Sequence, residues 1–137
     1  MRFKGFRSEL TLSLEGNIVW ATFRGAASTE LMSFFANSVE EVIAPLNGEF
    51  WALICISDDL EAATPEAEVI LVDAIRMNQN LGCRVSCYVF PTALSRYQMD
   101  RALRAAGVAD GIDGKLYATK DEAKAAALSH LSKIAKR

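Results

Sequence analysis

From Glu9 to Glu15 the chain alternates, with Leu10, Leu12 and Leu14 on one side and Thr11 and Ser13 on the other. That period is the mark of a half-buried strand. Gly16-Asn17 supplies a turn, and Ile18 to Arg24 completes a β-hairpin. The period then changes. Ser28 is placed as an N-cap, and Leu31, Phe35, Val39 and Val42 form one helical stripe that ends before Pro45. Past Asn47-Gly48, Phe50–Ile56 is an unbroken apolar run, the pattern of a strand covered on both faces.

The second half repeats this alternation of helix and strand. Ser57-Asp58-Asp59 breaks the central strand, and Thr64-Pro65 opens a helix to about Leu81, with Gly82 as its stop. Cys83–Phe90 reads as a strand closed by Pro91, and Thr92–Ala106 as a helix stopped by Gly107. Asp110-Gly111 and Asp113-Gly114 are turns. Leu116–Ala118 reads as a short last strand. Thr119 and Glu122 make a capping box for a final helix whose inner face carries Leu128, Leu131 and Ile134. The pattern predicts one α/β domain over residues 1–137, with residues 1–8 as an N-terminal arm. A β-hairpin is followed by βα units, giving a mixed sheet of about five strands with about four helices, the crossovers parallel and right-handed. Arg84, Ser86 and Tyr88 share one side of their strand, so part of that sheet face is expected to be wet.

Composition narrows the function classes. With 137 residues, 51% of them hydrophobic, the chain can bury a core without staples. A net charge of −2 gives no general basic field for nucleic acid. Arg2, Lys4 and Arg7 are followed by no apolar run of the kind a secretory signal needs. Cys83 and Cys87, four apart on a strand, would stand about 13 Å from each other, too far for a disulfide. Together with Cys55 they read as reduced core thiols of a cytoplasmic protein. No glycine-rich phosphate loop occurs, and no cofactor is expected.

Three segments resemble the STAS domain, the fold of bacterial anti-sigma-factor antagonists, over residues 9–132: the hairpin LTLSLEGNIVWATFRG, the central strand WALICIS with its loop and helix, and the tail LYATKDEAKAAAL. The resemblance implies a protein-interaction module whose partner-switching members are phosphorylated after the central strand. Laid on that pattern, Ser57 matches the first serine and Thr64 falls on the acceptor position. The chain departs from the pattern around both: Cys55 replaces the first aspartate, Ala63 the aspartate before the acceptor, and Glu66 the small residue beyond it, while Pro65 follows Thr64 directly. A phosphate at a helix N-terminus is favoured, but Glu66 and Glu68 would repel it, so Thr64 is expected to act as a cap.

Other polar residues assemble no chemistry. Asp58, Asp59 and Glu61 stand at the carboxyl end of the central strand, where open α/β sheets bind ligands, yet their spacing alone supplies too few convergent oxygens for a metal. The one histidine, His130, lies on the last helix between Ser129 and Leu131, an ordinary surface position. Arg96, Arg101 and Arg104 fall on one broad helix face, read as solvated. No catalytic or metal site is expected.

Surplus apolar surface is the more informative feature. Val69 and Val72 lie off the Ala67–Ile70–Leu71–Ala74–Ile75 stripe, and Phe34 points away from the stripe of its own helix. Surface of this kind is covered by the chain's own arm, by a second copy, or by an apolar ligand. The expectation is a non-enzymatic STAS-like regulatory module acting by protein contact as a homodimer. The alternative is a carrier of a small apolar, lipid-like ligand or a peripheral membrane-associated form, a use the related plan of the lipid-binding CRAL-TRIO domains permits.

Overall fold

Strand pairing begins earlier than the alternation implies. In the computed structural model, which describes residues 1–135, Arg2–Gly5 forms strand β1 and pairs antiparallel with β2, Ser8–Glu15. The segment expected as an arm is therefore an edge strand, with Phe3 half-buried and Arg2 and Lys4 exposed on either side of it. Four residues carrying one apolar side chain are too short to register as a period. β3, Ile18–Gly25, pairs antiparallel with β2, and Gly25 fits only as glycine: its φ is +76°, and a Cβ there would lie 2.0 Å from the Arg7 carbonyl oxygen.

α1, Thr29–Ile43, starts where Ser28 Oγ accepts the Leu31 N–H. A short 3₁₀ turn, Ala44–Leu46, leads to β4, Trp51–Ile56, every residue of which is buried. α2, Pro65–Asn80, begins with Thr64 Oγ1 accepting from Ala67 N–H. β5 is Cys83–Val89, α3 Ala93–Ala105 and α4 Lys120–Ala135. The sheet order is β1-β2-β3-β4-β5, with β3, β4 and β5 parallel. The α/β architecture and the five-stranded mixed sheet with four helices agree with the sequence reading, but the fifth strand is β1. The Leu116–Ala118 strand is reduced to one parallel bridge, Tyr88 to Leu116.

Helices cover both faces of the sheet. On one, Leu10, Leu12, Phe23, Trp51, Leu53 and Tyr88 pack against α1, α2 and α3. On the other, Ile18, Ile54, Val85 and Cys87 pack against α4. Tyr88, expected on a wet face, is fully buried because α2 and α3 roof that side. The inner face of α4 is also shifted from expectation. Ala123 and Ala127 make the contact, Leu131 and Ile134 are half-buried, and Leu128 is exposed. Alanines let the helix backbone sit close to the β-branched sheet face, and a leucine there would hold it off. Lys124 completes the attachment through an ion pair with Glu15, whose carboxyl is held below its ordinary range by Lys124 and then by Trp20. No helix among the described residues is long and apolar enough to cross a membrane.

Candidate functional site

The loop from Ser57 to Thr64 exposes Asp58, Asp59, Glu61 and Thr64 to solvent, yet its backbone is tied down. Gly25 N–H donates to Asp59 Oδ1, Glu61 N–H to Gly25 O, and Ala63 N–H to Gln98 Oε1. Leu60 packs on the core between these bonds. Asp59 thus caps a backbone amide, Glu61 faces Arg7 at 4.0 Å, and Asp58 is exposed. No group of three or more histidines, cysteines, aspartates or glutamates among the described residues could hold a metal ion. Ser57 is sealed, its Oγ without a hydrogen-bond partner, whereas Thr64 is exposed with its side chain committed to Ala67 N–H.

The three residues singled out for surplus apolar surface are separated by the fold. Phe34 is half-buried beneath Phe3, so β1 covers it. Val72 is half-buried on the side of α2 that faces α3, between the Glu68–Arg101 ion pair and the bond from Arg76 to Ala105 O. Val69 remains 62% exposed. On α3, Leu94 and Tyr97 are exposed as well, and Arg101 lies over the Tyr97 ring. The arginines of α3 divide. Arg96 donates to Phe90 O and Arg104 to Asp100, which leaves neither as an open anion site.

A cavity of about 350 Å³ opens beside β5, between α2, the end of α3, the 108–117 loop and α4. Its walls include Ile75, Leu103 and Val108, and His130 lies on the α4 side. Asn78 lines it with a side chain 3% exposed, and neither Oδ1 nor Nδ2 has a hydrogen-bond partner. Cys83 and Cys87 also line it, and burial pushes their thiols up to about 12 and about 11. Cys55, deeper in the core, is raised further by the same cause. Neutral thiols of this kind are poor nucleophiles.

Sequence reasoning passed over this site although one signal for it was present. Asn78 continues the buried Ala67, Leu71, Ala74 stripe of α2, where an apolar residue is due. A second concavity, about 670 Å³, lies between the β2–β3 turn and α4, lined by Phe50, Leu128, Leu131 and Ile134.

No family model matches the chain, and no curated protein matches it. Among solved structures it is similar to an uncharacterized DUF3478-family protein with a SpoIIAA-like fold from Shewanella loihica PV-4. The TM-score is 0.59 at 9% identity, over 88% of this chain and 93% of that one. Strand order, parallel centre and helical layers agree with that likeness: the chain has the SpoIIAA-like fold, which is the STAS fold of anti-sigma-factor antagonists.

Proposed function

We propose that this protein is a non-enzymatic regulatory module that acts by protein contact, as a homodimer joined through the outer faces of α2 and α3. The observation that carries the reading is the exposure of Val69, Leu94 and Tyr97 on these two adjoining helices, beside the Glu68–Arg101 pair that fixes their spacing. Apolar area left in water costs on the order of 25 cal/mol per Å², and a second copy of the same face removes it. The absence of catalysis belongs to the same reading: the thiols are buried and neutral, and Thr64 caps a helix. Mass measurement in solution tests it. Wild type should be dimeric at micromolar concentration, and Val69→Glu should yield a folded monomer, since the contact would desolvate an unpaired charge. A monomeric wild type overturns it.

A second reading, a carrier of an apolar ligand, is favoured by the concavity against α4, where Phe50 and Leu128 stand exposed. Phe34, first considered for that role, is covered by Phe3. In the carrier case Leu128→Glu weakens uptake of an apolar fluorescent probe, while Val69→Glu leaves it unchanged.

A further inference from the structure

The cavity beside β5 combines two unpartnered pairs of amide donor and acceptor. The first is the Asn78 carboxamide, buried with donor and acceptor both unused. Leaving such a pair unmatched in a native interior is costly, which is why buried carboxamides are nearly always partnered. The second is the backbone N–H and C=O of Ser86, from the two peptide groups that flank it. Tyr88 N–H donates to Lys115 O and Tyr88 O accepts from Tyr117 N–H, both on the edge of β5 away from β4. Strand backbone groups alternate in direction, so the N–H and C=O of Ser86 face that same outer edge. The chain opposite Ser86 is still in the turns that precede Lys115, and among the described residues no backbone group pairs with Ser86 on that edge.

The surroundings decide what charge the occupant carries. The cysteines of the wall are neutral. The charged lining residues sit at the rim: Lys115 Nζ donates to Gly111 O, Arg84 to the Gln79 and Cys83 carbonyls, Asp113 lies 3.6 Å from Arg104, and Asp110 is exposed. An ionic ligand would lose its hydration without gaining a buried counter-charge. Apolar walls with a few convergent polar groups, enclosing several hundred cubic ångströms, are the ordinary form of a small-molecule site.

We propose that this cavity binds a small uncharged molecule carrying an amide, lactam or ureide edge, held by two-point hydrogen bonding to the Asn78 carboxamide and to the Ser86 backbone N–H and C=O. The site lies apart from the α2–α3 contact face and stands or falls separately from the dimer.

Titration of the ¹⁵N-labelled full chain, followed by NMR, tests it. The probes are nicotinamide, uracil, hypoxanthine and hydantoin, with benzoate and benzylamine as charged comparators of similar size. At least one neutral probe should shift the Ser86 amide and the Asn78 side-chain NH₂ signals saturably, and the comparators should not. Asn78→Leu should weaken that binding about tenfold, the loss expected for one hydrogen-bonding group. Ala126→Phe, which fills the cavity from the α4 wall, should abolish it, and this variant carries the test if Asn78→Leu does not fold. Three results overturn the proposal: no neutral probe enters, as for a cavity holding only water; binding is equal in both variants; or the Ser86 signal moves with protein concentration alone, as for edge pairing between two copies.

Discussion

The rings of Phe3 and Phe34 stack at a centroid separation of 5.5 Å, tilted by 36°. The contact packs the outer strand of the sheet, which pairs with β2, against α1. It also removes Phe34 from the exposed surface, whereas Phe6 at the β1–β2 turn stays 91% exposed. Phe3→Ala should destabilise the fold by about 1–2 kcal/mol, less than the 3–5 kcal/mol of a fully buried phenylalanine because Phe3 is only half-buried. Urea unfolding measures the loss. Phe6→Ala, removing an exposed ring, should change the midpoint little.

Thr64 should behave as a cap in every assay. Its Oγ1 accepts from Ala67 N–H at 3.2 Å, with Pro65 holding the first helical position. Thr64→Ala should cost about 1 kcal/mol and Thr64→Ser almost nothing. Chemical denaturation separates the two variants. Ser57 has no route to a kinase without local unfolding, since its hydroxyl is sealed. Phosphate on Thr64 in protein isolated from its own host, together with a change of partner, would contradict this assignment.

The thiols set an alkaline limit. Burial raises all three, to about 11 for Cys87, about 12 for Cys83 and further for Cys55. An acid whose folded pKa is raised stays protonated in the native state while the unfolded chain loses its proton. Their contribution is therefore complete below the unfolded value near pH 8.5 and is lost as pH rises through the folded values. Between about pH 9 and 11 stability should fall by up to about 1.4 kcal/mol per pH unit for each thiol ionised only in the unfolded chain. Urea midpoints at stepped pH values check the slope. Thiol reagents should react slowly with folded protein and rapidly once it unfolds; fast native labelling of Cys87 would refute the burial argument.

The fold was legible where one period ran long enough. The hairpin, the buried run through Ile56 and the caps at Ser28 and Thr64 all stand where local pattern puts them, because each is decided by neighbours within a turn or a strand. What escaped depends on contacts distant in sequence. β1 needs Thr11 and Phe34 to become a strand, and Tyr88 is buried only once α2 and α3 have crossed over it. The cavity beside β5 joins residues from Leu53 to His130. Asn78 alone left a local trace, a carboxamide on an apolar stripe, and its meaning appears only with the cavity beside it.

The closing case is α4, where the helical stripe holds for Leu131 and Ile134 but not for Leu128. Leucine at 128 satisfies a periodic template, yet the sheet is met by Ala123 and Ala127, both fully buried against the β4 and β5 face. Close approach is what the small residues provide, so added volume there should be resisted more than lost volume at Leu128. Ala127→Leu should cost about 1–3 kcal/mol by forcing α4 off the sheet. Leu128→Gln should leave stability within about 0.5 kcal/mol, as surface substitutions do. Thermal unfolding of the two variants side by side decides it. If Leu128→Gln proves the more damaging, α4 packs on the sheet through its leucine face, and the alanine contact is not what holds the helix.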